Sequence, residues 1–220
     1  MTREKKKRVY LLTMASIMCS TVLLSAVVRC ITAADAESPY CMKWSQTWGG
    51  ISGDGAYGLS VSSDGIYVSG YTSSFGAGAS DAFMAKFASN GTQLWNCTWG
   101  GAGDERGFAV AAASDGIYLS GYSSSFGAGS YDAFIVKYAA NGTQLWNRTW
   151  GGTADDRGFG VAVATDGIYL SGYTSSFGAG ASDAFIAKFA ENGTQLWNRT
   201  WGGTADDRGF GVAVATDGIY

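Results

Sequence analysis

Histidine is absent from the 220 residues. Its absence excludes a histidine-based triad, histidine-ligated zinc and imidazole acid–base chemistry. Proline occurs once, and charged residues make up only 15% of the chain. The basic residues are few and unevenly placed. Residues 1–36 hold six Lys or Arg against two acids, and the remainder holds nine against sixteen, a net charge of −7. A nucleic-acid partner is excluded on that ground, because phosphate binding needs a concentrated basic face. Of the four cysteines, Cys19 and Cys30 lie in the N-terminal segment. The spacing of Cys41 and Cys97 fits no metal pattern, and their non-equivalent places in the repeat described below speak against a disulfide.

What is abundant is glycine, 33 residues, with 12 Tyr, 11 Phe and 8 Trp. That mixture predicts strands joined by tight turns. The N-terminus is different. MTREKKKR is a positive n-region, Val9 to Val28 carry no charge, and Ala34 and Ala36 form an A-x-A pattern. Residues 1–36 are expected to be a signal peptide cleaved after Ala36, or, if retained, a single membrane anchor, an apolar helix over residues 9–28. Either outcome places the rest of the chain outside the membrane, in an extracellular or cell-surface setting.

The Trp of TWGG recurs at Trp48, Trp99, Trp150 and Trp201, a period of 51. Residues 99–149 and 150–200 are identical at 39 of 51 positions, and the string 149–169 returns unchanged at 200–220. Each unit reads as four strands. In the second unit these are GFAVAAA (107–113), IYLSGYSSS (117–125), DAFIVKYA (132–139) and TQLWNRTW (143–150). Asn141-Gly142 predicts a type I′ hairpin between the last two. In the next first strand, Phe159, Val161 and Val163 are expected on one face and the small Gly160, Ala162 and Ala164 on the other. Small residues on one face suit an innermost strand. Four antiparallel strands per 51 residues predict an all-β β-propeller with the units 48–98, 99–149, 150–200 and a partial 201–220. The repeat region spans 37–220. About three and a half blades are present, with CMKWSQTWGG (41–50) as an outermost strand. The chain, which stops midway through a second strand at Tyr220, is expected to be a fragment of a longer one.

The segments DGIYLSGYTSSFGAGASDAFIAKF and NGTQLWNRTWGG resemble the SBBP-type β-propeller repeat of bacterial and archaeal exported proteins. Asp166, Gly167, Tyr169, Gly172, Ser175, Phe177, Asp183, Ala184, Phe185, Lys188, Trp197, Trp201, Gly202 and Gly203 carry the resemblance, which extends over about residues 42–220. It implies a propeller and an envelope or extracellular setting, and no single activity.

Candidate sites recur in every unit. The acidic loops Asp104-Glu105-Arg106, Asp155-Asp156-Arg157 and Asp206-Asp207-Arg208, with Asp54 in the first unit, could form a ring for Ca²⁺. They have too few closely spaced oxygens, and solvated charge with an Asp–Arg pair is the better reading. Asp64, Asp115, Asp166 and Asp217 precede glycine and read as turn residues. Asp81, Asp132 and Asp183 open third strands and read as structural. The pairs Trp95 and Trp99, Trp146 and Trp150, and Trp197 and Trp201 invite a sugar-stacking role, but packing between blades fits their spacing better. No catalytic, cofactor-binding or metal-binding residue is assigned, and no cofactor is expected. Asn90, Asn96, Asn141, Asn147, Asn192 and Asn198 each begin an N-x-T sequon and are candidate glycan acceptors. The Asn-Gly-Thr set is expected to be the more accessible. The function expected is binding or scaffolding, with an unknown protein or carbohydrate ligand and further blades or self-association at open strand edges. The alternatives are a propeller enzyme acting on polysaccharide with its active site in missing blades, and a modular spacer of a large surface protein.

Overall fold

The structure is a computed structural model and describes residues 42–220. The expectations for residues 1–36, the apolar helix over 9–28, and Cys19, Cys30 and Cys41 lie outside the described residues. Among the described residues there is no helix. Three four-stranded antiparallel sheets follow one another in chain order. The first contains β1 (Asp54–Ser62), β2 (Gly65–Thr72), β3 (Asp81–Phe87) and β4 (Gln93–Trp99). The second contains β5 (Glu105–Ala113), β6 (Gly116–Ser123), β7 (Asp132–Tyr138) and β8 (Gln144–Trp150). The third contains β9 (Asp156–Ala164), β10 (Gly167–Thr174), β11 (Asp183–Phe189) and β12 (Gln195–Trp201). The chain ends in a two-residue pairing of β13 (Val214–Ala215) with β14 (Gly218–Ile219).

In each sheet the strands lie side by side in sequence order, as hairpin connections dictate. The Asn-Gly hairpin differs from the expected one. No non-glycine described residue has a positive φ; Gly91, Gly142 and Gly193 alone take the left-handed conformation at these tips, with φ of 87, 85 and 80°. The amide of Gly142 donates to the Ala139 carbonyl at 2.9 Å, and that of Ala139 to Thr143 at 2.8 Å. This is a three-residue loop with one left-handed glycine, so the second positive φ of a type I′ turn is not needed. Asn141 Oδ1 accepts the Thr143 amide at 3.0 Å and holds the turn.

The first strands also depart from simple alternation. The pairing runs Gly107↔Gly121 and then Ala109↔Ser120, leaving Phe108 as a bulge. Tyr57 and Phe159 are bulged in the same way. Phe159 therefore does not share a face with Val161 and Val163 as expected, because one extra residue resets the alternation. The bulged rings form a ladder across the sheets. Tyr57 lies 4.7 Å from Phe108, Phe108 4.9 Å from Phe159, and Phe159 5.4 Å from Phe210. The small-residue face has the expected use. A Cβ on Gly58 would sit 2.8 Å from the Phe108 carbonyl, so adjacent first strands approach backbone to backbone.

Successive sheets pack face to face. Tyr67, Ala82, Met84 and Trp99 of the first sheet meet Val110, Ile117, Leu119, Phe134 and Tyr138 of the second. One period later, Tyr118, Ala133, Ile135 and Trp150 meet Val161, Ile168, Leu170, Phe185 and Phe189. Residues 42–50 form no strand. They nevertheless lay Trp48 on Phe83 at 4.0 Å, where Trp99 lies on Phe134 at 4.3 Å and Trp150 on Phe185 at 4.0 Å. A strand was expected there; among the described residues the segment pairs with none.

Candidate functional site

One end of each sheet carries an Asp–Tyr–Lys triad. The aspartate before the first hairpin glycine accepts from a tyrosine three residues on and from a lysine on the third strand. Tyr67 Oη and Lys86 Nζ reach Asp64 Oδ2 at 2.8 and 2.7 Å. Lys137 reaches Asp115 at 2.7 Å and Lys188 reaches Asp166 at 2.6 Å, each with its tyrosine, Tyr118 or Tyr169. Each ammonium also lies 5.0–5.2 Å from the tyrosine ring centroid. These aspartates were read as turn residues only; the lysine 22 positions on was the available signal. The Lys86 hydrogen bond, followed by that of Ser62, holds Asp64 down to about 2. Burial pushes Tyr118 up to about 12, and the Asp115 bond adds to this. The phenol keeps its proton at neutral pH and donates it to the aspartate, so each triad ties the first hairpin of its sheet to the third strand.

A folded-state pKa below the unfolded 3.8 means that Asp64 stabilises the fold above pH 3.8 and loses that contribution as pH falls through about 2. A carboxyl ¹³C titration is expected to give Asp64 a midpoint near 2, and Lys86→Met to move it back toward the ordinary carboxylate range. An unchanged midpoint in Lys86→Met would remove the ammonium as the cause.

Between the second and third sheets this end opens into a cleft of about 580 Å³ lined by Asp115, Tyr118, Thr165, Asp166, Ile168 and Glu191 among others. Glu191 occupies the hairpin position held by Ser89 and Ala140 in the other units, and its carboxylate lies 3.5 Å from Lys137 Nζ. Glu191 thus gives the cleft a carboxylate that the equivalent positions of the other units lack, a departure that reading every candidate as recurrent had missed.

The other end holds the acidic loops. The first acid pairs with arginine as expected: Arg106 with Asp104 at 3.2 Å and Arg157 with Asp155 at 3.0 Å. The second acid is not solvated. Glu105 and Asp156 are fully buried, because each carboxylate organises the loop around it. Glu105 accepts from Ser123 Oγ at 2.9 Å and from the amides of Ser125 and Gly101 at 3.0 and 2.7 Å. Asp156 accepts from Thr174 Oγ1, from Ser176 Oγ at 2.6 Å and from the Gly152 amide at 2.7 Å. Asp54 does the same with Thr72, Ser74 and Gly50; burial acts to raise its carboxyl, and these hydrogen bonds outweigh burial and hold it below the usual value. Asp81, Asp132 and Asp183 are buried too and accept glycine-loop amides, Gly78 and Gly129 at 3.0 and 2.8 Å, and Ala179 and Gly180 at 3.0 Å. The two acids of a junction converge on the first glycine of WGG. A Cβ on Gly151 would lie 2.3 Å from Asp132 Oδ1 and 2.7 Å from Asp156 Oδ2. Burial, with the nearby Asp156 charge, raises Asp132. The bound donors make these carboxylates clasps between loop and sheet. Among the described residues no group of three or more His, Cys, Asp or Glu is placed to hold a metal ion.

Trp95, Trp99, Trp146 and Trp150 lie between sheets. Trp99 and Trp150 are buried, and the indole N–H groups of Trp44, Trp95 and Trp146 each donate to the carbonyl 45 residues on, at 2.8, 3.1 and 3.1 Å. Cys97 is a free thiol that burial pushes up to about 11. All six sequon asparagines are exposed. Asn90, Asn141 and Asn192 lie at hairpin tips, and Asn96, Asn147 and Asn198 lie on the edge strands β4, β8 and β12. No helix among the described residues is long and apolar enough to cross a membrane.

No family model matches the chain. The regulatory protein FlaEY of Caulobacter vibrioides is 25% identical over 139 residues, which cover 53% of this chain and 15% of that protein. A crystal structure of a protein of unknown function from Bacteroides caccae is similar at a TM-score of 0.44 and 14% identity, covering 76% of this chain and 52% of the other. The chain thus matches a minor part of the first protein and about half of the second.

Proposed function

We propose that the chain is part of an exported or cell-surface β-propeller of the SBBP repeat type, with a binding or scaffolding role. The observation that supports this reading is the repeated sheet-to-sheet interface. Each sheet presents Tyr, Ala, an aliphatic residue and Trp to the aliphatic and Phe face of the next. A small-residue first strand and a wide Trp-bearing fourth strand give each unit the wedge that a propeller needs. The ligand surface is the cleft at Asp115, Asp166 and Glu191, facing a protein or carbohydrate partner. The exposed sequons are glycan acceptors wherever the host supplies the transferase.

Protease added to intact host cells, after removal of any outer layer, is expected to remove an epitope fused after Tyr220. Full protection of the epitope until the cytoplasmic membrane is broken would contradict the exported location.

A further inference from the structure

The second and third sheets meet closely at their inner strands and diverge at their fourth. A Cβ on Gly158 of β9 would lie 2.8 Å from the Gly121 carbonyl oxygen of β6. Between the edge strands β8 and β12 a hollow of about 260 Å³ remains, lined by Thr149, Trp150, Gly151, Phe177, Gln195 and Asn198. None of these residues is charged. Phe177 is 47% exposed, and its ring is held 5.4 Å from that of the buried Trp150. Thr149, Gln195 and Asn198 are exposed, and among the described residues none of their side chains makes a hydrogen bond within the chain. Nearby polar side chains behave differently: Asn192 and Thr174 both bond to their own sheet or turn. The set also belongs to the repeat. Thr98, Phe126, Gln144 and Asn147 stand at the same places of the junction between the first and second sheets. In the first unit, residues 51–62 differ from 102–113 at every position, yet Thr47, Phe75, Gln93 and Asn96 keep the pattern.

We propose that this hollow and its counterpart between β4 and β8 each bind one neutral sugar residue of a polysaccharide. The site is separate from the cleft at Asp115, Asp166 and Glu191 and does not depend on it. A partly exposed ring suits the C–H face of a pyranose. Two side-chain amides and a hydroxyl supply both donors and acceptors for its hydroxyl groups. Without a cationic side chain in the lining, nothing there rewards a phosphate, sulfate or uronate over an uncharged sugar. The volume is just under the range of drug-sized pockets, which fits a single sugar ring. One such contact is weak. Two grooves on one chain reach two residues of the same polymer, and binding strengthens by linkage. Asn147 and Asn198 also begin sequons, so a glycan attached there and a captured sugar exclude one another.

The test uses the full chain with its asparagines shown by mass spectrometry to be unmodified. Dextran, mannan and galactan, with the acidic polymer alginate beside them, are immobilised on one array. The chain is expected to bind at least one of the three neutral polymers, to be displaced by that polymer's free monosaccharide, and to bind alginate at least about tenfold more weakly. Gln144→Ala with Gln195→Ala removes one exposed amide from each groove. Thr98→Val with Thr149→Val removes the hydroxyl at nearly constant size. Each double variant is expected to keep the β-type circular dichroism and to lose about threefold in affinity per groove, compounding to about tenfold over the two. Absence of binding to every neutral polymer, alginate binding of equal strength, or unchanged binding by either double variant overturns the proposal.

Discussion

Gly121→Ala is expected to lower the stability of the described region by roughly 3 kcal/mol or more. A Cβ there would fall 1.8 Å from the backbone carbonyl oxygen of Arg106 and 2.9 Å from Phe134 Cε1. A carbonyl inside a sheet cannot rotate away as a side-chain tip can, so β5 would have to separate from β6. The close approach originates in the Phe108 bulge, which tightens the pairing at Gly107↔Gly121. Gly70 and Gly172 face the carbonyls of Gly55 and Arg157 at the same 1.8 Å, so the constraint belongs to the repeat. Gly211 has nothing within 4 Å of its Cβ position, and Gly211→Ala is expected to be neutral within about 0.5 kcal/mol. Urea denaturation midpoints for the two variants check this; equal midpoints would show that β5 and β6 do not approach as described.

The second large effect is at Trp150. Its ring lies 4.0 Å from that of Phe185, on β11 of the following sheet, and 5.4 Å from that of Phe177, in the loop between β10 and β11. Trp150→Ala would leave a void between two sheets and is expected to cost about 3–5 kcal/mol. Trp201→Ala removes the same residue type at the same repeat position and is expected to change stability by less than about 0.5 kcal/mol, because nothing covers that ring. The pair separates interface packing from any intrinsic preference of tryptophan for a fourth strand. In a linear array each unit is supported by its neighbours, so losing the junction at Trp150 should also uncouple unfolding of the third sheet from the first two. Denaturation monitored by circular dichroism and by tryptophan fluorescence would then give two transitions in place of one.

Strand positions and order were legible because period-two patterns and glycine turns are local signals. The bulge was not. GFGVAVA alternates without a break, and an extra residue is defined by the partner strand, which sequence alone does not align. The buried acid in each junction was half legible. In the divergent first unit Asp54 keeps the position of Glu105 and Asp156, while Gly53 replaces Asp104. That survival marks the second acid as the structural one. Its burial depends on hydroxyls 18 and 20 residues away, Thr174 and Ser176 for Asp156, and adjacency to an arginine hid it. The triads were obscured for the same reason, since the lysine sits on another strand.

The central claim is that the tryptophan closing a fourth strand, Trp99 or Trp150, packs on the next unit's phenylalanine, 35 residues ahead. A double-mutant cycle of Trp150→Ala and Phe185→Leu tests it directly. The repeated interface predicts a coupling of about 0.5–1.5 kcal/mol between the two sites. Additivity within about 0.3 kcal/mol would contradict it, because rings in contact cannot act independently.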